Sequence, residues 1–244
     1  MAYLRSSVED PVKFTIVVPV KDEDHETVRR IVSDTQTFFK SKVSLIIVDD
    51  GSRIPNPYAT CTHSVSLGYG KALKSGILNA KTPWVITMDG DGQHRIRDVA
   101  RLMEFAEDFP DVEMVIGDRR VSERTWARYL GRKGLNMFAS LFAWRWIPDL
   151  NSGLRMFKRE AALSYEPILC NTFSFTTSLT MSFLADNRKV DWIPVKVSDR
   201  PFGKSKVKVL HDGWVTLKYI FWIGLALRTR GIRAIYRRIV HGRS

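Results

Sequence analysis

The stretch Trp84-Val85-Ile86-Thr87-Met88 runs directly into Asp89-Gly90-Asp91-Gly92-Gln93-His94. Its first five residues are mostly apolar or β-branched and follow a Thr-Pro turn, which predicts a buried strand. The aspartates therefore follow the carboxyl end of a strand, where open α/β sheets bind their ligands. Asp89, Asp91 and the Gln93 amide supply oxygen ligands of the kind that Mg²⁺ or Mn²⁺ prefers. An ordinary Asp-Gly turn is the alternative interpretation.

Polar segments also follow the strands that come earlier in the chain. Phe14 to Val18 is an apolar strand ending in Pro19-Val20-Lys21-Asp22-Glu23, and Val43 to Val48 ends in Asp49-Asp50-Gly51-Ser52. An amphipathic helix from about residue 25 to residue 39 separates them. Strands that alternate with helices predict an α/β fold with a mostly parallel sheet flanked by helices. We therefore expect these polar segments to meet at one edge of the sheet.

Composition limits the class of protein. A chain of 244 residues is long enough for one large α/β domain with a proper core. Its two cysteines, Cys61 and Cys170, have no metal or redox spacing and suggest a reducing compartment. Residues 1–13 are too polar for a signal peptide, so we expect the catalytic face to be cytoplasmic.

The formal net charge of +12 predicts an anionic partner. Six arginines and no acidic residue follow the apolar run Tyr219 to Leu227. That run is too short to cross a bilayer of roughly 30 Å, and the residues after it have the pattern of an amphipathic helix at a membrane interface. We therefore predict two parts: a catalytic domain over 1–210 and a basic membrane-interface segment over 211–244. A core helix followed by a basic tail is the alternative.

Two further segments carry cations or turn residues. A predicted strand over 113–116 ends in Gly117-Asp118-Arg119-Arg120, and arginine suits bidentate binding of a phosphate. The loop Asp199 to Lys206 contains Pro, Gly and several cations, a composition typical of a lid over a bound phosphate. Taken alone, this loop is equally well interpreted as a surface turn.

The order of these motifs resembles family 2 glycosyltransferases, and within them the group of dolichol-phosphate-mannose synthases and polyprenyl-phosphate glycosyltransferases. The resemblance spans nearly the whole chain. The motifs that carry it are Pro19-x-x-x-Glu23, Asp49-Asp50-Gly51-Ser52, Gly70-Lys71-Ala72-x-x-x-Gly76, Asp89-Gly90-Asp91-Gly92-Gln93-His94, Asp149-x-x-Ser152-Gly153 and Gly203-Lys204-Ser205-Lys206. It implies a GT-A fold, a nucleotide-diphosphate sugar donor, a divalent metal and inversion at the anomeric carbon.

Residue roles follow from the resemblance. The metal would be Mg²⁺ or Mn²⁺ bound by Asp89, Asp91 and Gln93, with Asp91 central to catalysis. Arg119, Arg132 and Arg200 would act on the phosphates of the donor or the acceptor. The donor would be contacted by Pro19, Lys21, Glu23, Asp49, Asp50, Gly70, Lys71, Asp89, Gly90, Ser205 and Lys206. GDP-mannose is the preferred donor by resemblance, and UDP-glucose is possible.

The chain departs from the group's pattern in two places. The usual Ser-x-x-Ala/Gly-Asn pattern is replaced by Gly131 to Asn136, without the serine. No carboxylate stands in the run Phe173 to Leu179, where related enzymes commonly have one. A hydroxyl acceptor needs a general base, whereas a phosphate is already an anionic nucleophile. This favours a polyprenyl or dolichyl phosphate acceptor, unless Asp149 or another carboxylate is the base.

Three other functions remain open at this stage. The same fold could glycosylate a sugar hydroxyl of a lipid-linked glycan. A sugar nucleotidyltransferase is disfavoured, because its Gly-rich basic loop is missing after the first strand. The basic surface could instead belong to a non-enzymatic protein that binds acidic membranes or nucleic acid. No zinc-finger, helix-turn-helix or RNA-binding strand motif supports nucleic acid as a partner.

Overall fold

The computed structural model describes residues 11–119, 126–198 and 213–225, with the backbone alone for 126–129. Its strands are β1 (Phe14–Val20), β2 (Val43–Asp49), β3 (Cys61–Thr62), β4 (Trp84–Thr87), β5 (Met114–Asp118), β6 (Arg155–Lys158) and β7 (Val190–Pro194). In the described part they form one seven-stranded sheet in the order β3-β2-β1-β4-β6-β5-β7. This confirms the predicted α/β class with a mostly parallel sheet.

The helices connect and cover these strands. They are α1 (His25–Phe39), α2 (Tyr69–Asn79), α3 (Ile96–Asp108), α4 (Trp126–Ala143), α5 (Arg159–Ser164), α6 (Phe175–Ala185) and α7 (213–225), with 3-10 turns at Lys40–Lys42 and Glu166–Ile168. Helix α1 begins where the sequence predicts, because the Asp24 side chain accepts a hydrogen bond from Thr27 N at 3.0 Å.

Alternation along the strands divides the core between the two faces of the sheet. In β1, Ile16 and Val18 point to the face covered by α1 and α3, while Val17 points to the face covered by α2, α5 and α6. Both faces are apolar because each is covered by helices. On the far side of α6, Met181 packs with Ala139 of α4 and Ile220 of α7, which adds a further helical layer.

Strand β6 is antiparallel to both of its neighbours, β4 and β5. Its first residue, Arg155, pairs with Thr87 at the carboxyl end of β4 and with Ile116 near the carboxyl end of β5. The reversal therefore brings the turn that precedes β6, residues 149–153, to the edge where β1, β2, β4 and β5 end. The sequence predicts the strand but not its direction.

The C-terminal prediction is covered by the structure in part. Helix α7 lies within it, and residues 226–244, with the proposed amphipathic face at Ile232, Ile235, Tyr236 and Ile239, lie outside the described residues. Within the described ranges, every helix falls short of the length and hydropathy that crossing a membrane requires. The proposed division at residue 210 stays a prediction.

Candidate active site at the carboxyl edge of the sheet

The polar segments predicted from sequence meet at one edge of the sheet. Val20 at the end of β1 is in register with Asp49 at the end of β2, and Met88 N donates to Val17 O at 3.1 Å. A Cβ added to Gly90 would lie 2.7 Å from Val20 Cγ1 and 2.8 Å from Pro19 O. Glycine is therefore required for the Asp-rich loop to lie directly against the end of β1.

Asp49 holds its own loop together. Its Oδ1 accepts hydrogen bonds from Ser52 N at 2.9 Å and Ser52 Oγ at 2.5 Å, and its Oδ2 accepts one from Asn56 N at 2.8 Å. The residue is fully buried. A buried carboxylate needs such partners, and here they close the loop after β2.

Asp50 links that strand end to the segment that leads into α2. Its carboxylate accepts hydrogen bonds from the His63 ring at 2.8 Å and from Ser66 Oγ, Leu67 N and Gly68 N at 2.8 to 2.9 Å. Burial raises the pKa of Asp50, but these donors outweigh it and the pKa is lowered. Lys21 Nζ donates to the same Ser66 hydroxyl at 2.8 Å. Asp50 and Lys21 thus hold the segment before α2 against the ends of β1 and β2.

The start of α2 packs against the C-terminal half of the domain. Lys71 N donates to Asn171 O at 3.1 Å, and a Cβ on Gly70 would overlap with the Cys170 carbonyl. Gly70 is therefore needed for this close approach. Glu23 lies half-buried in the loop after β1.

Both carboxylate oxygens of Asp89 are held by neighbours. Tyr69 Oη donates to Oδ1 at 2.8 Å, and His94 Nε2 lies 3.2 Å from Oδ2. A Cβ on Gly153 would overlap with the same carboxylate, so the turn before β6 packs directly on it. Burial raises the pKa of Asp89, but the hydrogen bonds from His94 and Tyr69 prevail and lower it to about 2. Asp89 is therefore an oriented anion.

Tyr69 and His94 are the residues that sequence reasoning left without a role. The Tyr69 ring stacks on Phe173 with centroids 5.2 Å apart, and burial followed by the Asp89 charge raises the pKa of its hydroxyl well above the ordinary value. The His94 side chain is 3% exposed. The position of His94 within the Asp-rich motif could have indicated a role in the site. Tyr69 lies 20 residues before Asp89, and nothing in the sequence around it indicates their contact.

Asp91 and Gln93 extend this loop toward the segment that follows β7. Asp91 is 7% exposed, and its Oδ1 accepts a hydrogen bond from Gln93 N at 3.1 Å. Gln93 exchanges two hydrogen bonds with Ser198, through its side-chain nitrogen at 3.0 Å and its carbonyl at 2.9 Å. Ser198 is the last described residue before the predicted lid. The lid residues Arg200, Ser205 and Lys206 lie outside the described residues.

The chemistry of these side chains fits a hard divalent cation. In the described ranges no three residues of the types His, Cys, Asp and Glu form a cluster that could hold a metal alone. Two carboxylates and an amide oxygen are nevertheless typical of Mg²⁺ or Mn²⁺ sites in which water and substrate phosphates complete the coordination. Asp89, Asp91 and Gln93 are the residues that would hold it.

A second charged cluster lies where β5 ends and the turn before β6 begins. Arg119 Nε and an Arg119 terminal nitrogen donate to the Asp149 carboxylate at 2.8 and 3.0 Å, a bidentate pair. Arg132 of α4 lies 3.7 Å from the same carboxylate, and Asp149 is fully buried. Burial raises the pKa of Asp149, but Arg119 and then Arg132 prevail and lower it. Two predicted phosphate ligands are thus brought together around one carboxylate.

The turn that presents Asp149 is held by three hydrogen bonds from two elements. Asn136 of α4 donates to Pro148 O at 2.6 Å and accepts from Leu150 N at 3.2 Å. Trp192 Nε1 donates to Asp149 O at 2.9 Å. These bonds join the turn to α4 on one side and to β7 on the other.

Arg155 supports the same turn from beneath. It is fully buried and donates to the carbonyls of Leu150, Ser152 and Thr176 and to Thr180 Oγ1. Burial lowers the pKa of its guanidinium to about 10. All these acceptors are neutral oxygens, so the charge is satisfied by dipoles. The tetrapeptide Arg-Met-Phe-Lys gave no signal of this, because an arginine in a short strand suggests a solvent-facing position.

Comparison with known proteins identifies the family of this chain. The model of a family described as "Glycosyl transferase family 2" matches residues 15–165. The uncharacterized protein MJ1222 of Methanocaldococcus jannaschii is 30% identical in an alignment of 164 residues that covers 60% of this chain and 65% of that protein. The chain thus matches a little under two thirds of that relative's length.

Solved structures share the fold at low sequence identity. Glucosyl-3-phosphoglycerate synthase from Mycobacterium tuberculosis, in complex with Mn²⁺, UDP-glucose and phosphoglyceric acid, superposes with a TM-score of 0.65 at 14% identity, over 89% of this chain and 80% of that one. A structure described as a mycobacterial protein gives a TM-score of 0.69 at 14% identity, over 87% of this chain and 75% of that one.

Proposed function

The chain belongs to glycosyl transferase family 2, and on that premise we propose that it transfers a hexose from a nucleotide-diphosphate sugar to a polyprenyl phosphate. A phosphate oxygen of the acceptor attacks the anomeric carbon while the bond from that carbon to the donor diphosphate breaks. One displacement inverts the anomeric configuration and releases the nucleoside diphosphate. The specificity for hexose, and mannose in particular, belongs to this proposal.

The observation that carries the proposal is the burial of Asp149 and its pairing with Arg119. This residue is a candidate general base by position, but its carboxylate is fully buried and bound in a bidentate pair by Arg119. Its lowered pKa makes it a weak proton acceptor. A phosphate acceptor needs no base, and the second cation, Arg132, favours an anion at this position. The cluster suits a phosphate better than a neutral hydroxyl.

The Asp-rich loop would serve the donor. Asp89 and Asp91, with Gln93, would hold Mg²⁺ or Mn²⁺ against the diphosphate, where a bound cation neutralises the charge that develops on the leaving group. The hydrogen bonds from Tyr69 and His94 keep Asp89 ionised and oriented for that task. GDP-mannose is the first donor to test, by resemblance to the dolichol-phosphate-mannose group, and UDP-glucose is the second.

We place the reaction at the cytoplasmic surface of a membrane, where a polyprenyl phosphate resides. The charge of +12 and the arginine-rich C-terminal segment favour an anionic leaflet. Trp144, Trp214 and Trp222 are 82%, 62% and 66% exposed, and tryptophan is enriched where protein meets the membrane interface. Nucleic acid is not proposed as a partner.

A second candidate is transfer to a hydroxyl of an acceptor that also carries a phosphate, such as a lipid-linked glycan or a small phosphorylated acid. One glucosyl-3-phosphoglycerate synthase structure was solved with phosphoglyceric acid, which carries both a phosphate and a hydroxyl. In that case the Arg119 and Arg132 cluster would bind the phosphate without supplying the nucleophile. This reading requires a general base other than Asp149.

The test is transfer of radiolabelled sugar from GDP-mannose or UDP-glucose into an organic-extractable product with polyprenyl phosphate and Mg²⁺ or Mn²⁺. We expect labelled lipid that is released by mild acid, as a glycosyl phosphate ester is. Label that appears only with 3-phosphoglycerate or a lipid-linked glycan would favour the second candidate. Absence of label with every acceptor and donor would contradict both.

A further inference from the structure

Four donors of the protein itself occupy the Asp50 carboxylate. Its Oδ1 accepts hydrogen bonds from the His63 ring and from Leu67 N, both at 2.8 Å. Its Oδ2 accepts them from Ser66 Oγ at 2.8 Å and from Gly68 N at 2.9 Å. An ionised carboxylate offers about four acceptor positions. These partners therefore use the acceptor capacity that a direct contact between Asp50 and the donor would need.

His63 connects this carboxylate to α2. Its Nδ1 lies 2.8 Å from Asp50 Oδ1, its Nε2 lies 2.9 Å from Ser75 Oγ, and its side chain is 10% exposed. Because an ionised carboxylate has no proton to give, Nδ1 is the donor in the first of these bonds. Burial raises the pKa of Asp50, and the His63 ring is the strongest of the donors that lower it. His63 thus keeps Asp50 ionised and fixes its orientation.

The order of Asp50, His63 and Ser75 is that of a catalytic triad, but the location of the serine does not suit catalysis. Ser75 lies inside α2, which spans Tyr69–Asn79. Backbone N–H groups inside a helix bond to the preceding turn, so they do not provide an oxyanion hole beside the hydroxyl. The arrangement therefore serves to hold Asp50 in place.

The segment 64–68, which leads into α2, depends on Asp50 for its conformation. Its side chains are mostly exposed, with Val65 at 62%, so burial contributes little to its order. Asp50 instead binds three consecutive residues at its end, through one hydroxyl and two backbone N–H groups. The last of them, Gly68, has a φ of +106° and directly precedes Tyr69. Asp50 thus sets the position from which α2 begins.

Tyr69 carries this position to the Asp-rich loop. Its hydroxyl donates to Asp89 Oδ1 at 2.8 Å, and its ring stacks on Phe173. Hydrogen bonds weaken steeply with distance and angle, so a shift of the residues before Tyr69 would weaken its hold on Asp89. A continuous series of contacts therefore runs from His63 to a residue that would hold the cation.

We propose that His63 is a positioning residue for the metal site. It holds Asp50, Asp50 orders the segment 64–68, and that segment places Tyr69 where its hydroxyl orients Asp89. Asp50 acts in this series of contacts in place of the direct donor contact that the resemblance implies. The inference rests on the proposed function, since it takes Asp89 to bind a divalent cation beside a nucleoside diphosphate.

The experiment measures Mn²⁺ affinity with GDP or UDP present, by electron paramagnetic resonance of the free ion, for wild type, His63→Asn and His63→Gln. The asparagine nitrogen is as many bonds from Cα as Nδ1, so it can still donate to Asp50. The glutamine nitrogen matches Nε2, so it can reach Ser75 but loses Asp50. We expect His63→Gln to bind Mn²⁺ about fivefold more weakly and His63→Asn to stay within about twofold of wild type.

The two variants control for each other, because both remove the imidazole from the same buried position. An equal loss of Mn²⁺ affinity in both would mean that the ring acts only through packing, and it would overturn the inference. Unchanged affinity in His63→Gln would overturn it as well.

A double-mutant cycle tests whether His63 acts through Tyr69. Tyr69→Phe alone should weaken Mn²⁺ binding about fivefold, and adding His63→Gln should weaken it no further. Losses that multiply would show a different route to the metal site and would contradict the proposed series of contacts. For Asp50→Asn the same dependence on Tyr69 is expected. If Asp50→Asn loses affinity for the nucleotide without Mn²⁺, Asp50 contacts the donor directly and the inference fails.

Asp91→Asn separates this inference from the proposed function. If wild type binds Mn²⁺ with nucleotide, Asp91→Asn does not and His63→Gln does so normally, the metal site stands and the role of His63 fails. If wild type binds Mn²⁺ no more tightly with GDP or UDP than without them, the donor site is refuted and the inference with it.

Discussion

The Asp89 loop and the Arg119 cluster lie at the same edge of the sheet and hold a carboxylate in different ways: the Asp89 side chain is 30% exposed, whereas Asp149 is fully buried. Asp89 is held by a tyrosine hydroxyl and an imidazole, with a second carboxylate, Asp91, two residues away. Asp149 is held by one arginine in a bidentate pair, with a second arginine 3.7 Å away. The first group keeps an excess of negative charge, and the second an excess of positive charge.

The difference is what the proposed function requires, in which one sheet edge receives two anionic substrates. A donor diphosphate can approach the acidic loop only with a cation between them, whereas an acceptor phosphate can approach the arginines directly. The two clusters are close, since Gly153 packs on Asp89, but their carboxylates are held by different side chains, and each set of side chains can be substituted separately. The predictions below substitute one set at a time.

The largest effect is expected from Asp91→Asn. The amide removes a charge that the cation needs, so turnover should fall by about a hundredfold to a thousandfold, as when other preorganised electrostatic groups are lost. Stabilisation of the fold by a nucleoside diphosphate with Mn²⁺, measured as a melting-temperature shift, should vanish. Asp191→Asn, whose surface ion pair is with Arg145, is the control and should change neither value. Normal metal-dependent stabilisation of Asp91→Asn would exclude Asp91 from the metal site.

Arg119→Ala is expected to act on the other cluster. It removes the bidentate partner of the fully buried Asp149 and leaves backbone N–H donors and the more distant Arg132, which should cost about 3 kcal/mol in the free energy of unfolding. Butyl phosphate affinity should fall as well, while the melting-temperature shift by nucleotide and Mn²⁺ persists. Arg188→Ala is a matched control, because the Arg188 side chain is 30% exposed and its guanidinium lies 2.7 Å from the Glu113 carboxylate. This ion pair lies outside the site. An equal loss of phosphate affinity in both variants would show that stability alone accounts for the effect.

Tyr69→Phe should produce a smaller change that is confined to the donor side. It removes one hydrogen bond to Asp89, worth about 1 kcal/mol, so the KM for the donor should rise about fivefold and the acceptor KM should not change. Tyr165→Phe is the control: its hydroxyl donates to Asp186 at 2.6 Å far along the chain from the Asp-rich loop. Equal donor KM values for Tyr69→Phe and wild type would mean that His94 suffices to orient Asp89.

The smallest effect is the loss of stability at low pH that comes from Asp149. The folded-state pKa of Asp149 is lowered, so its contribution to stability is complete above the ordinary carboxyl pKa near 4 and is lost as the pH falls toward the folded value. The difference in unfolding free energy between wild type and Asp149→Asn should be constant from pH 7 to pH 5 and shrink by about 1 kcal/mol at pH 3. Urea denaturation at each pH measures it. A difference that does not change with pH would mean that Asp149 is not an ion pair in solution.

Much of the donor side could be predicted because its elements are local. The strand before Asp89, the helix over 25–39 and the strand before Asp49 all follow from periodicity and turn residues within a dozen positions. Parallel strands separated by helices then bring their carboxyl ends to one edge by the general rules of such sheets. No long-range information is needed to bring Asp49, Asp89 and Asp91 together.

The acceptor side could not be predicted to the same depth. Asp149 was considered as a base, but its pairing with Arg119 spans 30 residues and depends on β6 running antiparallel. Tyr69, whose hydroxyl meets Asp89, and Arg155, whose guanidinium meets four separate oxygens, have ordinary sequence surroundings.

By itself the sequence determined the α/β class, the family and the position of the acidic loop, because hydrophobic periodicity and short motifs act over neighbouring residues. Only the tertiary structure decided which carboxylate stands beside cations and which aromatic hydroxyl holds Asp89. Those contacts join residues 20 or more positions apart, and their geometry depends on strand direction and helix packing, which no local pattern specifies.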